Sequence, residues 1–346
     1  MKRIRMAIIG AGQIARVTHI PNYLQMDEVE LTAICDTNEE SAQVLSAQFQ
    51  IPTYFTDYRA MLHTIKPDAV TVCVPNKFHR QITVDALNSG CHVLCEKPPA
   101  ITAFAAGEME QAALDKKRLL SYGFHFRHSQ EVSIIKQLID TNQFGDIYHA
   151  RVQWLRRRGI PGWGNFTNKE LQGGGPLIDI GAHMLDAAMY LMNYPEVLYV
   201  SANAGDRLIK SANAGLMGTW DKSHCSVEDS LFGFIQFQNN ASLSIETSFA
   251  LNMKERDLRN VQLFGDKLGA SLFPLEVFGE QGSQLMDINY PFIETKDRHF
   301  ACAHNFIQAV LEKEALLNQA WQGTYIQKII EALYQSAAEK RPVMLK

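Results

Sequence analysis

The stretch IRMAIIGAGQIA, residues 4–15, decides the fold of the first part of the chain. It begins as a short apolar run, typical of a buried strand, and continues into glycines that are typical of a tight turn before a helix. A second apolar run, LTAIC at 31–35, stops at Asp36. Strand, glycine turn, helix, strand and acid in this order predict a βαβ unit that binds a dinucleotide.

The glycine turn has the residue types that a pyrophosphate-binding loop needs. Gly10 allows the chain to turn sharply off the strand, and Gly12 has no side chain to keep a pyrophosphate away from the backbone. Ala15 is small enough for close packing of the helix on the sheet, and the helix N-terminus offers N–H groups to phosphates. We therefore expect cofactor contacts from Gly10, Gly12, Gln13 and Ile14.

Asp36 indicates which dinucleotide binds. It lies about 20 residues beyond the glycine turn, where a carboxylate accepts hydrogen bonds from the hydroxyls of the adenosine ribose. The same charge repels a 2′-phosphate, and neither Thr37 nor Asn38 supplies a compensating cation. The pattern therefore favours NAD over NADP, and it argues against an NADP-dependent reductase with the same fold.

Composition indicates an ordinary globular protein of two domains. The chain has 346 residues, 46% of them hydrophobic and 20% charged, and its formal net charge of −4 gives no reason to expect nucleic acid as a partner. No apolar run reaches the roughly 18 residues of a membrane span, and the run at 4–9 is too short for a signal peptide. We therefore expect a cytoplasmic protein with no membrane partner. The 6 cysteines are scattered, which predicts reduced thiols and no metal.

Strands and helices alternate over 1–125, which predicts an NAD-binding Rossmann domain with a doubly wound parallel sheet, of the α/β class. The pattern over 126–346 predicts an α+β domain with an open, mostly antiparallel sheet, for substrate binding and oligomerisation. Its last helix, 322–338, can pack back on the first domain. The other elements predicted there are a strand at 147–157, a helix at 176–192 and strands near 197–204, 230–238, 241–250 and 258–264.

Lys97 is the first candidate for chemistry. It lies in Glu96-Lys97-Pro98-Pro99, directly after the predicted strand 92–95. This position is the carboxyl edge of the parallel sheet, where the nicotinamide end of a dinucleotide is expected. A lysine there can stabilise charge on a reacting oxygen or exchange a proton with it. The alternative interpretation is a solvated charge at a strand end.

Asp179 and His183 form the second candidate, in the stretch GGGPLIDIGAH at 173–183. Pro176 suits the first turn of a helix, so the two residues would stand one turn apart on one face. A carboxylate beside an imidazole orients the ring and raises its basicity, so the pair can accept a hydroxyl proton. An exposed helical surface pair is the alternative, but the apolar residues around it argue against this.

These motifs together resemble the Gfo/Idh/MocA family, named after glucose–fructose oxidoreductase and inositol dehydrogenase. The resemblance extends over almost the whole chain. It depends on the glycine turn, the Glu-Lys-Pro element and the Asp-x-Gly-x-His helix in this order, and on three further stretches: Pro75-Asn76 with His79, GFHFR at 123–127 and ALYQSA at 332–337.

The resemblance implies NAD(P)-dependent dehydrogenation with a catalytic triad of Lys97, Asp179 and His183. It does not decide whether Lys97 or His183 accepts the proton first. It also implies a homodimer or homotetramer formed through the C-terminal sheet. His125 stands where many members have Asn or Gln, near the nicotinamide ribose or the substrate. The further cofactor contacts that it implies are Pro75, Asn76, His79, Glu96, Lys97 and His125.

The segment 154–176 resembles the glucoside 3-dehydrogenase branch of the family. This implies NAD-dependent oxidation of a ring hydroxyl of a sugar or glycoside to a ketone, with C3 of a glucoside as the specific expectation. A cyclitol such as an inositol is the alternative substrate, and a non-catalytic NAD(P)-binding regulatory protein is the alternative of another class. Substrate contacts are expected from Lys97, Arg156, Arg157, Trp163, Asn168, Lys169, Asp179 and His183.

Overall fold

The computed structural model describes residues 3–294 and 296–345. The chain divides into two compact units, of which the first comprises Met1–His125 and Asp297–Gln327 and the second Phe126–Lys296 and Lys328–Lys346. The division after His125 falls at the same residue as in the sequence-based assignment. Residues 297–327, which that assignment gave to the second domain, belong to the first unit.

The first unit contains a sheet of six strands, and all of its strand pairs are parallel. In chain order the strands are β1 (Ile4–Ile9), β2 (Val29–Cys35), β3 (Tyr54–Phe55), β4 (Ala69–Val72), β5 (His92–Cys95) and β6 (Leu120–Tyr122). Their order in the sheet is β3-β2-β1-β4-β5-β6, which confirms the predicted doubly wound sheet. The helices between them are α1 (Ile20–Tyr23), α2 (Glu39–Phe49), α3 (Tyr58–Ile65), α4 (His79–Asn88) and α5 (Ala103–Lys116).

A helix far along the chain completes this unit. It spans Arg298–Val310 and begins at Asp297, whose carboxylate accepts the His299 N–H at 2.8 Å. Its residues Phe306 and Ile307 are buried in the same apolar cluster as Ile8 of β1 and Ile34 of β2. This apolar face explains why the segment belongs to the first unit, because burying it against the sheet supplies the main stabilisation that a helix of this length needs.

The second unit contains a sheet of nine strands in the order β14-β13-β12-β11-β7-β10-β9-β8-β15. The strands are β7 (Ile147–Arg156), β8 (Val197–Gly205), β9 (Ser230–Phe237), β10 (Ser242–Ser248), β11 (Asp257–Gly265), β12 (Leu268–Leu272), β13 (Leu275–Gln281), β14 (Gln284–Asn289) and β15 (Val343–Met344). Only β7 and β10 pair in parallel. The mostly antiparallel sheet confirms the prediction, although β12, β13 and β14 were not predicted individually.

The remaining helices are α6 (Gln130–Asp140), α7 (Lys169–Gln172), α8 (Ala182–Leu191), α9 (Arg207–Ser211), α10 (Arg298–Val310, described above) and α11 (Ala320–Glu339). Two helices are entered through wider π turns, Ala15–His19 before α1 and Leu177–Gly181 before α8. The predicted helix at 176–192 is present, but its first turn is a π turn rather than an α turn. Among the described residues, no helix is both long and apolar enough to span a bilayer.

Helix α8 is anchored by a buried ion pair. It is buried on nearly all sides, including its polar residue Asp186. Nε of Arg127 donates to Oδ2 of Asp186 at 2.7 Å, and neither side chain is exposed. A buried charge pair is strongly destabilised when one partner is removed, so Arg127 fixes the position of α8. This accounts for the arginine of the GFHFR stretch.

Gly10 gives a test of the glycine turn. Its φ is +105°, and an added Cβ would overlap the carbonyl oxygen of Cys73. We expect Gly10→Ala to lower the free energy of unfolding by at least about 2 kcal/mol, because backbone strain and the overlap add together. Gly12→Ala is the matched control, since a Cβ there would meet no atom within 4 Å. Urea unfolding without cofactor measures both variants, and equal stabilities would contradict this explanation.

Candidate functional site

The acid at the end of β2 is tied directly to the glycine turn. Asp36 accepts the Ala11 N–H through Oδ2 at 2.7 Å and the Asn38 N–H through Oδ1 at 2.8 Å. Each carboxylate oxygen retains a further acceptor direction. Gln13 and Ile14 open the following helix, and the Cα of Gly12 faces open space. The residues present therefore fit a dinucleotide, with room at Gly12 for a pyrophosphate and acceptor capacity at Asp36 for a ribose.

The loop after β4 contains the predicted contacts Pro75, Asn76 and His79. Asn76 starts a short 3-10 turn that leads into α4. His79 is fully buried, with Nδ1 at 2.8 Å from the Pro98 carbonyl oxygen and Nε2 at 2.9 Å from that of Val74. Both ring nitrogens therefore face protein carbonyl groups. His79 thus ties this loop to the segment after Lys97, and its cofactor contact stays a prediction.

Glu96 and Lys97 follow β5, as predicted. Oε2 of Glu96 accepts the backbone N–H of Lys97 at 3.1 Å, and Oε1 lies 2.7 Å from Nε2 of His19. Gly123 lies so close to this carboxylate that an added Cβ would be 2.9 Å from Oε2. Both oxygens of Glu96 are thus engaged within the first unit, where they hold the loop that carries Lys97.

His125 lies beside the same loop and stacks against His299. The two ring centroids are 3.8 Å apart. Burial lowers the pKa of His125 well below its ordinary value, and the nearby His299, Arg298 and Lys97 lower it further. His125 is therefore neutral near pH 7. Sequence reasoning missed Arg298 and His299, although the capping residue Asp297 marks the helix start that brings them there.

In the second unit, a half-buried carboxylate holds the glycine turn before Asp179 and His183. Glu228 accepts the Gly175 N–H at 2.9 Å and the hydroxyl of Tyr334 at 2.7 Å. A Cβ on Gly174 would overlap the Tyr334 hydroxyl. The glycine is therefore required by the close approach of Tyr334. Burial raises the pKa of Glu228, while the bond from Tyr334 lowers it.

The turn that carries Asp179 is a π turn and lies against the sheet. A Cβ on Gly181 would be 2.6 Å from Cγ2 of Thr247 on β10. The wider turn changes the predicted α-helical spacing between Asp179 and His183. π turns of this kind occur frequently at functional sites.

His183 is 6% exposed and lies among aromatic rings. Its ring centroid is 5.5 Å from that of Phe126 and 6.1 Å from that of Trp154. The guanidinium of Arg259 lies over three rings of this cluster, 5.2 Å from Phe126, 5.4 Å from Trp154 and 5.4 Å from Phe273. Arg259 and Trp154 face each other across β11 and β7. Sequence reasoning missed Arg259, because nothing near it in the sequence marks it.

Arg156 is the predicted substrate residue that the structure brings nearest to this cluster. Its guanidinium lies 5.5 Å from the centroid of Trp154. Burial lowers the pKa of Arg156, while the carboxylates of Asp179 and Asp257 raise it. Arg156 is therefore within electrostatic reach of Asp179. The Nε atom of Arg259 and the Nε1 atom of Trp154 are buried with no hydrogen-bond acceptor among the described residues, and the buried Nε atom of Arg156 lies 3.8 Å from Oδ2 of Asp257.

The other predicted substrate residues lie in different surroundings. Arg157 lies beyond the end of β7, and its Nη1 donates to the Lys254 carbonyl at 3.3 Å. Asn168 caps α7 by accepting the Leu171 N–H at 3.2 Å. Lys169 is exposed, and Trp163 is 51% exposed in the loop before α7. Arg157 and Asn168 thus take part in local structure through one side-chain atom each, and their substrate contacts stay predictions. Among the described residues, no group of His, Cys, Asp or Glu is arranged to hold a metal.

Two family profiles match this chain. The oxidoreductase family profile for the NAD-binding Rossmann fold, Gfo/Idh/MocA, matches residues 4–124. The profile for the C-terminal alpha/beta domain of the same family matches residues 136–345. Together they include the residues of both parts of the predicted site.

Solved structures of similar fold cover nearly the whole chain. Levoglucosan dehydrogenase in complex with NADH and L-sorbose has a TM-score of 0.87 and 22% identity, covering 100% of both chains. Aldose-aldose oxidoreductase from Caulobacter crescentus, complexed with glycerol, has a TM-score of 0.83 and 23% identity, covering 99% of this chain and 100% of the other. At these identities the likeness shows the fold.

Curated relatives are similar in sequence as well. D-glucoside 3-dehydrogenase of Escherichia coli K12 is 45% identical over 96% of this chain and 95% of its own. Levoglucosan dehydrogenase of Pseudarthrobacter phenanthrenivorans is 24% identical over 98% of this chain and 97% of its own. With both family profiles matched and a relative this similar along almost its full length, the chain belongs to the Gfo/Idh/MocA oxidoreductase family.

Proposed function

We propose that this protein is an NAD-dependent dehydrogenase that oxidises a ring hydroxyl of a sugar or glycoside to a ketone, with C3 of a glucoside as the reacting position. The observation that carries this proposal is the nearly full-length similarity to D-glucoside 3-dehydrogenase. The candidate residues Lys97, Asp179 and His183 are all present, so the chain has the groups that proton transfer from a hydroxyl requires.

In the proposed mechanism, NAD supplies the hydride acceptor when it is bound. As hydride leaves the carbinol carbon, negative charge develops on the hydroxyl oxygen, which must lose its proton. We assign His183 as the base, held and made more basic by Asp179. Lys97 donates a hydrogen bond to the same oxygen when charged and receives the proton when neutral. The family resemblance implies that these groups serve one substrate hydroxyl.

The ring cluster around His183 supports a sugar as substrate. Aromatic rings such as Trp154 and Phe126 bind the apolar face of a pyranose, and directional donors bind its hydroxyl oxygens. The side chains of Trp154, Arg156 and Arg259 carry N–H donors of this kind beside His183. A simple aliphatic alcohol would leave them unsatisfied, at a cost of about 1–3 kcal/mol each.

The cofactor assignment predicts a preference between NAD and NADP. We expect kcat/KM to be at least about tenfold higher with NAD, a difference of ~1.4 kcal/mol, because Asp36 binds ribose hydroxyls and repels a 2′-phosphate. In Asp36→Ser the preference should largely disappear. Initial rates with both cofactors measure this, and equal or faster turnover with NADP by the unaltered protein would contradict the assignment.

A substrate panel tests the proposed activity. We expect NADH formation with methyl glucosides or free hexoses to exceed that with lactate or short alcohols, because only a polyol ring satisfies the donors near His183. NMR of the product should show a ketone at C3. If NADH forms fastest with inositols, the cyclitol alternative is correct instead. NAD binding without turnover of any compound would favour the regulatory alternative.

Single substitutions test the catalytic assignment. We expect Lys97→Ala and His183→Ala each to lower kcat by about 10²-fold or more, the usual effect of removing an acid–base group. NAD affinity and unfolding should change little by comparison. Lys210→Ala and His224→Ala are matched controls, because both side chains are mostly exposed at 56% and 85% and lie outside the candidate site. A catalytic variant with rates like those of its control would exclude the assigned role.

We also propose that the second unit mediates self-association through the sheet face opposite α8. Side chains alternate between the two faces of a strand, so Phe232, Phe264 and Phe278 lie opposite the buried residues of their strands. They are 41%, 37% and 39% exposed. Exposed aromatic residues on one sheet face are typical of a protein interface.

This interface proposal predicts a homodimer or homotetramer in solution. Phe264→Glu should shift the protein toward the monomer, because it places a charge within the apolar face. Light scattering across a dilution series measures the mass of each variant. A monomeric unaltered protein at micromolar concentration would contradict the proposal.

A further inference from the structure

His19 and Glu96 form a buried pair in the first unit that sequence reasoning did not identify. His19 ends the π turn after the glycine loop, and Glu96 directly follows β5. Nε2 of His19 lies 2.7 Å from Oε1 of Glu96, and the side chains are only 6% and 14% exposed. A pair this buried requires both partners, since either charge alone would remain desolvated.

Each partner stabilises the charge of the other. Burial lowers the pKa of His19, but Cys73 and Glu96 outweigh burial and raise the pKa above its ordinary value. Burial raises the pKa of Glu96, but the hydrogen bond and charge of His19 outweigh burial and lower it below its ordinary value. Both shifts favour the pairing of an imidazolium with a carboxylate.

The same carboxylate holds Lys97. Its second oxygen, Oε2, accepts the backbone N–H of Lys97 at 3.1 Å. The Lys97 ammonium also contributes to the lowered pKa of Glu96, which places it within electrostatic range of the pair. His19, Glu96 and Lys97 thus form one connected series, with Glu96 in the middle.

The charge states of the groups around the pair also affect Lys97. Burial raises the pKa of Cys73, while His19 lowers it, and burial lowers the pKa values of His79, His125 and His299, which favours their neutral forms. Arg298 contributes a positive charge next to His125. Among the described residues, the titratable and charged groups around Glu96 and Lys97 are therefore His19, Tyr23, Cys73, His79, Cys95, His125, Arg298 and His299.

We propose that His19 is a positioning residue for the reaction: acting through Glu96, it fixes the loop of Lys97 and balances the charge beside it, and so affects the pH dependence of the reaction. This inference rests on the proposed function for the role of Lys97. Neither His19 nor the pair itself needs to touch the substrate.

Two substitutions should move the pH dependence in opposite directions. His19→Gln retains a donor at the position of Nε2 but removes the positive charge, so Glu96 would stabilise the charged form of Lys97 more strongly. Glu96→Gln removes the negative charge, and His19 then becomes neutral, so the charged form of Lys97 would be less stable. Because a purely structural role gives no reason for opposite shifts, the direction is the informative result.

The experiment measures pH profiles of kcat/KM for sugar oxidation. The pH profile of Lys97→Ala is measured first. The limb of the unaltered protein's profile that is absent in this variant is the one that Lys97 controls. That limb should move by about 0.5–1 pH unit upward in His19→Gln and by a similar or smaller amount downward in Glu96→Gln. In the double variant it should coincide with the limb of Glu96→Gln, since His19 acts through Glu96. Shifts of both single variants in one direction, or an unmoved limb, would overturn the proposal.

A second measurement needs no turnover. NMR of isotope-labelled histidines, with His19 assigned among the 11 histidines by its loss in His19→Gln, reports the charge of the imidazole. We expect His19 to stay protonated on both ring nitrogens through pH 8 in the unaltered protein and to be neutral at pH 7 in Glu96→Gln. A neutral His19 in the unaltered protein at pH 7 would overturn the proposal even if both variants fail to fold. If no sugar is oxidised but His19 is charged, the buried pair stands and the proposed function fails.

Discussion

The close approach of β1 to its neighbours at Gly10 is the constraint on which the first unit depends. The Gly10 N–H donates to the Cys35 carbonyl at 2.7 Å, and a Cβ would overlap the carbonyl oxygen of Cys73. The end of β1 is therefore confined between the ends of β2 and β4. This brings Asp36 against the N–H of Ala11 and directs the chain into the helix that ends with His19. This close approach therefore positions the residues that are expected to bind the cofactor.

Most of the first unit could be predicted because its signals are local. An apolar run, a glycine turn and an acid at a fixed distance identify the βαβ unit without knowledge of the rest of the chain. The helix Arg298–Val310 could not be assigned to this unit, because its apolar face does not indicate which sheet it covers. His19 lies next to the predicted turn, but its partner Glu96 is distant in sequence, so no spacing rule connects them. The role of His79 in tying two loops could not be predicted either, because a motif position does not indicate which carbonyl groups the ring contacts.

In the second unit, the sequence identified the helix but not what holds it. Gly173-Gly174-Gly175-Pro176 correctly predicted a helix start before Asp179 and His183. The carboxylate that binds the turn comes from Glu228, and the hydroxyl that supports it from Tyr334 near the end of the chain. Arg127 and Arg259 likewise contact the helix or its aromatic surroundings from other elements. Such long-range contacts depend on strand register, which sequence periodicity does not determine.

The π turn at Leu177–Gly181 has a consequence for how this site can change over evolution. A π turn takes up one residue more than an α turn without rotating the helix beyond it. The buried faces of α8, including the pair of Asp186 with Arg127, can therefore stay in register while the turn gains or loses a residue. Asp179 lies inside this adjustable turn, whereas His183 lies beyond it. A one-residue length change there would re-aim the carboxylate relative to the imidazole while the rest of the core is preserved.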